Sequence, residues 1–308
     1  MNYFNEITNE VKKAIKGKDR AIVTTLLAIL ANGNILIEDI PGVGKTTMAV
    51  AFSKALGLEY KRVQFTPDTL PSDITGFTVF NKDENTLTYN KGAIFCNLFL
   101  ADELNRTSSR TQAALLEAME ENQVTVEGKS YKLQKPFSVI ATQNPTGASG
   151  TQLLPDSQVD RFMIRLSMGY PDENAECNML MSKNKTNTLN DIETIVTKEQ
   201  LLQMQKAVKE IHLSKDMAKY IVSLVTATRN NSLISRGASP RATLALTDMA
   251  KAVAFAEERD YVVPRDVQNI FLPVLSHRII LSSEAVTRQF SAERVLKDIL
   301  SRVKMPRI

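Results

Sequence analysis

Asp39-Ile40-Pro41-Gly42-Val43-Gly44-Lys45-Thr46-Thr47 decides how this chain is read. Before it, Asn34-Ile35-Leu36-Ile37 reads as a short buried strand, and after it residues 46–56 read as an amphipathic helix. A strand, a glycine-rich turn closing on Gly-Lys-Thr and a helix together make a phosphate-binding loop. Gly42 and Gly44 let backbone N–H groups curl around an anion, and the helix N-terminus adds partial positive charge. Lys45 reaches toward β- and γ-phosphates, and the Thr46 hydroxyl is suited to ligate Mg²⁺. Pro41, Val43 and Thr47 complete the candidate cradle. One position departs from the strict pattern: Asp39 stands where a glycine is expected, six residues before Lys45.

A second signal lies at Leu98-Phe99-Leu100-Ala101-Asp102-Glu103, an apolar strand that delivers two carboxylates at its C-terminal end. Alone, this is a buried strand ending in two solvated acids. Beside a phosphate loop, Asp102 becomes the carboxylate that holds Mg²⁺, through water or the Thr46 hydroxyl, and Glu103 the base that orients and deprotonates water. Each signal supports the other, because bound phosphates need a cation and the cation needs carboxylates.

Composition narrows the class. A chain of 308 residues accommodates about two ordinary domains. With 43% hydrophobic and 23% charged residues it reads as a soluble globular protein. The net charge of +4 is too small to argue for nucleic acid, and pairs such as Lys12-Lys13 and Lys61-Arg62 read as solvated surface. Two distant cysteines, Cys96 and Cys177, exclude a disulfide framework and suit a reducing cytosol, so a cytoplasmic location is expected. Cys96 sits in an apolar, strand-like run and is expected as a buried thiol. His212 and His277, the two histidines, offer no zinc set. Residues 1–20 are polar and of mixed charge, unlike a signal peptide. The longest apolar run, 21–31, is too short to span a membrane and reads as a buried helix.

The first half alternates strand and helix, which implies a largely parallel sheet covered on both faces. Further strands are expected at 60–65, 98–103, 137–142 and 163–166, with helices at 108–121 and 155–161. One hairpin is expected from 76–80 and 86–89, and a second from 123–126 and 131–133, turning at Glu127-Gly128-Lys129-Ser130. From Gly169-Tyr170-Pro171 onward almost only helical periodicity remains, after a polar connection at 183–191. Thr197-Lys198-Glu199-Gln200 is a capping-box start for a helix to about residue 211, and further helices are expected at 216–229, 240–258, 264–275 and 292–303. The layout is an α/β domain over 1–168 followed by an α-helical lid over 169–308.

Six stretches in this order resemble the AAA+ ATPases, and within them the MoxR family. They are the loop from Glu38 to Thr46, Ala101-Asp102-Glu103-Leu104-Asn105-Arg106, Thr111-Gln112-Ala113-Ala114-Leu115-Leu116-Glu117-Ala118-Met119, Ala141-Thr142-Gln143-Asn144-Pro145, the run from Leu154 to Phe162, and Gly237-Ala238-Ser239-Pro240-Arg241-Ala242. MoxR-like chains often carry Asp where the strict loop has its first glycine, and the two hairpins fit the family's helix-two insert and pre-sensor hairpin. The resemblance implies a phosphate-loop AAA+ fold with a five-stranded parallel sheet, hairpin insertions and a smaller helical lid. It implies ATP and Mg²⁺ as ligands. Asn144 would be sensor one, bonding the γ-phosphate or the attacking water, although a strand-end Asn also caps turns. Arg161 would be the arginine finger acting on a neighbour's ATP, with Arg106 in reserve; read alone, Asp160-Arg161 is a surface ion pair. Arg241 would be sensor two, coupling the lid to the γ-phosphate, and an arginine opening a helix is otherwise disfavoured by the helix dipole. Gln64, ending the second strand, could restrain Glu103, and Ile15-Lys16-Gly17-Lys18 sits where such proteins hold adenine.

In function, the resemblance implies a homo-oligomeric ring, a hexamer, that uses ATP at subunit interfaces to remodel or help mature a protein client bearing a von Willebrand factor A domain. The alternative is a nucleic-acid-associated AAA+ motor or loader; the modest charge and lack of an appended DNA-binding module oppose it. A nucleotide-dependent scaffold that barely hydrolyses is opposed by the presence of Asp102, Glu103 and Asn144. Direct membrane insertion is not expected.

Overall fold

The computed structural model describes residues 3–83, 85–144, 154–170, 173, 176, 177 and 189–306. Its centre is a five-stranded, all-parallel sheet. In chain order the strands are β1 (Ile35–Glu38), β2 (Tyr60–Gln64), β5 (Leu98–Asp102), β8 (Ser138–Gln143) and β9 (Ile164–Leu166). Their spatial order is β2-β5-β8-β1-β9. Two antiparallel hairpins stand outside it: β3 (Gly76–Asn81) with β4 (Thr86–Lys91), and β6 (Gln123–Val126) with β7 (Lys129–Lys132).

Because successive residues of a strand face opposite sides, the sheet feeds two cores. Ile35, Ile37, Leu98, Leu100 and Ile140 point into one apolar cluster. Leu36, Phe99, Ala101, Val139 and Ala141 point into the other. The first cluster contains helix α1 (Phe4–Ala14), which buries Phe4, Ile7 and Val11 at helical spacing, and α2 (Asp19–Leu30), buried on nearly every side. It also contains α3 (Lys45–Ala55) and the C-terminal helices Lys198–Glu210, Lys215–Arg229, Pro240–Ala256, Pro264–Leu275 and Ala292–Arg302. The second cluster is closed by the short helix α4 (Pro71–Thr75) and by α5 (Ser109–Glu121). Helix α5 starts where the Ser108 hydroxyl accepts the Thr111 N–H, and ends at Asn122 in the left-handed conformation.

The expected capping box is present: Thr197 accepts the Gln200 N–H, and the Gln200 side chain returns to the Thr197 N–H. Helix α6 (Asp156–Val159) is shorter than the expected 155–161. Three expectations need correction. The C-terminal half is not purely helical: Ile234–Arg236 pairs antiparallel with Ile280–Leu281, in strands too short to show a period in sequence. The second hairpin turns on Glu127 and Gly128 alone, both left-handed, so Lys129 and Ser130 already belong to β7. Cys96 lies in a turn before β5 rather than in a strand, because Asn97 and Leu98 donate to the Glu59 carbonyl where pairing begins. It is nonetheless fully buried, and burial pushes its thiol up to about 12. Pro145 and Pro171, and most of the polar connection at 183–191, lie outside the described residues. Among the described residues no helix is long and apolar enough to cross a membrane.

Candidate functional site

The loop after β1 and the ends of β2, β5 and β8 meet at the carboxyl edge of the sheet, the edge where open parallel sheets bind ligands. A cavity of about 370 Å³ opens there, lined by Pro41, Gly42, Gly44, Lys45, Thr46 and Thr47 from the loop, and by Arg62, Gln64, Asp102, Glu103 and Asn144 from the strand ends. Gly42 and Gly44 have φ of 89° and 95°, and open space surrounds the position a Cβ would take at Gly42. Both features fit a backbone that curls around an anion. Gly44 is also the residue from which α3 starts. Val43 contributes backbone only, since its side chain packs on the first apolar cluster.

Asp39 accounts for its own departure from the strict loop pattern. Its buried carboxylate accepts Ser167 Oγ at 2.7 Å, the Gly169 N–H at 3.3 Å and the Met168 N–H. It thereby staples the segment after β9 to the loop. Its carbonyl accepts Lys45 Nζ at 2.7 Å, and Asn144 Oδ1 lies 3.5 Å from the same ammonium. Burial holds the Lys45 ammonium below its ordinary value, partly offset by the charges of Asp102, Asp39 and Glu103.

The two acids are held differently. Asp102 Oδ1 accepts the Thr142 hydroxyl at 2.6 Å, and Thr142 Oγ1 accepts the Glu103 N–H at 2.8 Å. Glu103 sits in the left-handed region at φ 57°, a conformation non-glycine residues adopt at a cost of about 1–3 kcal/mol when the surroundings enforce it. Its carboxylate accepts Arg106 Nη1 at 2.7 Å and Asn144 Nδ2 at 3.1 Å. The Arg106 hydrogen bond, against burial and aided by Asn144 and Gln64, keeps Glu103 below the usual carboxylate range. Asn144 is fixed by Asn105, whose side-chain amide exchanges hydrogen bonds with the Asn144 backbone at 3.3 and 3.4 Å. Hard oxygen donors on Asp102 and Thr46, lining one cavity with a lysine and paired glycines, suit Mg²⁺ and a polyphosphate.

Arg62 requires a correction. Read from sequence as half of a solvated basic pair, it lines this cavity, and its Nη2 and Nε lie 2.7 and 3.1 Å from Asp102 Oδ2. Strand alternation carries the missed signal: Arg62 lies two residues before Gln64, so both share the face turned to the cavity.

The other two arginines singled out by sequence lie elsewhere. Arg161 and Arg241 are absent from the lining of this cavity and converge on Glu120 near the end of α5. Arg161 Nη1 is 3.4 Å from Glu120 Oε2, and Arg241 binds Oε1 of the same carboxylate. Asp160, beside Arg161, accepts Ser239 Oγ at 3.0 Å and Arg278 Nε at 2.8 Å. The buried Arg278 also donates to the carbonyls of Phe162 and Met163 at 2.6 and 2.9 Å. Glu120 and Arg278 escaped the sequence reading, and Asp39 entered it only as a departure from the loop pattern, because their partners lie far away along the chain. A second cavity, of about 450 Å³, is lined by Gly17, Lys18, Thr24, Met168, Pro273 and Ser276 among others.

The comparisons agree with this geometry. Residues 34–164 match the ATPase family associated with various cellular activities, and residues 226–299 match an AAA lid domain. The YeaC protein of Bacillus subtilis is 43% identical over 96% of this chain and 92% of its own. Chaperone MoxR1 of Mycobacterium tuberculosis is 34% identical over 97% of this chain and 81% of its own. The crystal structure of a Cytophaga hutchinsonii protein described as an ATPase superposes with a TM-score of 0.90 at 37% identity, covering 99% of this chain and 96% of that one. A glycine-rich loop at the edge of a five-stranded parallel sheet, a helical lid and 34% identity to chaperone MoxR1 over 97% of this chain converge on one assignment: the chain belongs to the MoxR family of AAA+ ATPases.

Proposed function

We propose that this chain hydrolyses ATP at the interfaces of a homo-oligomeric ring and uses the energy to remodel a protein client. In this reading residues 1–168 form the nucleotide domain and 169–308 the lid. Lys45 and the loop amides from Gly42 to Thr47 bind the phosphates, and Gly17 and Lys18 border the purine. Thr46 and Asp102 hold Mg²⁺, which when bound neutralises phosphate charge. Glu103 takes a proton from water at its carboxylate, and Asn144 fixes both that carboxylate and the water. The observation that carries the shared-site reading is that Arg161 and Arg241 meet on Glu120 and line no part of the phosphate cavity. Two arginines held together by one half-exposed acid are available to the phosphates of an adjacent copy, where a finger arginine stabilises transition-state charge.

The chaperone reading takes its support from MoxR1, a relative named as a chaperone, and the von Willebrand factor A partner from the family resemblance. A nucleic-acid motor neutralises several phosphates per subunit, which a net charge of +4 over 308 residues does little to favour. The test is ATP turnover per subunit across protein concentration, alone and with single-stranded DNA, duplex DNA or a von Willebrand factor A protein encoded nearby. Turnover that rises with concentration and responds to the protein supports the proposal. Several-fold stimulation by DNA alone supports the nucleic-acid motor instead.

A further inference from the structure

Each of the two adjacent acids carries its own arginine: Arg106 on Glu103 and Arg62 on Asp102. The second pair has a consequence for metal binding. The two oxygens of Asp102 are divided between different partners. Oδ1 accepts the Thr142 hydroxyl at 2.6 Å, an internal bond that also fixes the Glu103 backbone. Oδ2 accepts Nη2 and Nε of Arg62, itself part of the cavity lining, at 2.7 and 3.1 Å. The carboxylate is mostly buried (11% exposed), whereas the guanidinium side chain is 40% exposed and is steadied further, among the described residues, by Gln64 at 3.5 Å. Asp102 is therefore fixed and Arg62 is the partner able to move.

We propose that Arg62 is a positioning residue that rivals the divalent cation for Asp102 Oδ2, and so sets how much Mg²⁺ the nucleotide site requires. This rests on the reading of Asp102 as a metal-holding carboxylate. A guanidinium bonded through two N–H groups to one oxygen and a divalent cation cannot both use that oxygen fully. Whatever the arginine contributes to holding Asp102 is subtracted from the metal's affinity, and the coupling is reciprocal. In return, Arg62 keeps the Asp102 charge paired beside Glu103, which weakens the repulsion between the two carboxylates.

The experiment measures equilibrium binding of a fluorescent ADP analogue to the full chain across a Mg²⁺ titration, with no turnover involved. In Arg62→Gln the Mg²⁺ concentration at half-effect should fall by about two- to fivefold, the range expected from losing a partly exposed ion pair. Arg62→Lys, which keeps the charge, should return the midpoint toward the parent, a rescue that a merely structural role would not give. Asp102→Asn should raise the midpoint. Parent-like midpoints in Arg62→Gln beside a raised one in Asp102→Asn overturn the role of Arg62 alone. Parent-like midpoints in both overturn the metal-site reading on which it rests. Melting of each variant without nucleotide reports whether it is folded.

Discussion

Arg106 reaches back three residues to Glu103, its Nη1 2.7 Å from Oε2, and thereby holds the candidate base in a more acidic state than an ordinary glutamate. A base with a lowered pKa is ionised but weakly basic, so this contact restrains the residue that would activate water. Arg106→Ala should raise the Glu103 pKa and shift the acidic limb of the turnover–pH profile to higher pH. The stability linkage has a definite sign. A depressed folded-state pKa contributes stability above the unfolded pKa and loses it as pH falls through the folded value. The melting difference between parent and variant should thus be present at neutral pH and vanish in acid. If turnover at neutral pH instead falls by about 10³ or more, Arg106 is itself the finger.

Lys45→Ala should abolish ATP binding, because the buried ammonium shared by Asp39 and Asn144 is, in the proposed reading, the loop's side-chain partner for phosphate charge. Glu103→Gln should bind ATP with near-parent affinity and turn over about 10²- to 10⁴-fold more slowly, the usual contribution of a positioned base. Nucleotide affinity and single-turnover hydrolysis measured on both variants check this. Parent-like turnover in Glu103→Gln removes Glu103 from the base role.

Arg161→Ala should leave ATP affinity nearly intact and reduce turnover by about 10³- to 10⁵-fold. Mixing it with Lys45→Ala should recover part of the activity, since each variant supplies the half-site the other lacks. No recovery across a range of mixing ratios contradicts a site shared between copies.

Asp39→Gly would restore the strict loop pattern and should nonetheless harm the protein. Ser167, Met168 and Gly169 would lose their common acceptor. Of these three donors the Met168 N–H is the buried one, and leaving a buried donor unsatisfied costs about 1–3 kcal/mol. Thermal or urea melting should show the loss, and nucleotide affinity should weaken as the segment after β9 loosens from the loop.

Arg278→Ala should destabilise by about 3 kcal/mol, the order found when one partner of a buried ion pair is removed. Asp160 and the carbonyls of Phe162 and Met163 would be left without their guanidinium. Urea unfolding checks the magnitude, and a loss under 1 kcal/mol would show that water replaces the arginine.

The convergence of the glycine-rich loop, Asp102, Glu103 and Asn144 on one cavity was legible because each lies at the end of an apolar strand, and parallel strands align such ends along one edge. The sheet and the presence of both hairpins followed from strand length and turn chemistry, although the second hairpin turns on Glu127 and Gly128 alone. Arg62 was lost because a charged side chain on an edge strand resembles solvated surface until its partner on the next strand is known. The meeting of Arg161 and Arg241 at Glu120 was illegible for a related reason: a 121-residue separation along the chain carries no distance information. Asp39 looked like a defect in the loop because its three donors come from a segment more than a hundred positions downstream.

One apolar cluster runs without interruption from Phe4 through the sheet residues Ile35, Leu98 and Ile140 to Leu201, Leu246, Phe271 and Ile299. The helices after residue 197 therefore share their interior with the nucleotide domain instead of enclosing one of their own. Heating should produce a single cooperative transition, with the calorimetric and van't Hoff enthalpies in agreement. A fragment confined to the C-terminal helices should collapse without ordered side chains. If the proposed ring forms, its subunits would move against one another as whole bodies, because bending within one subunit would open its interior to water.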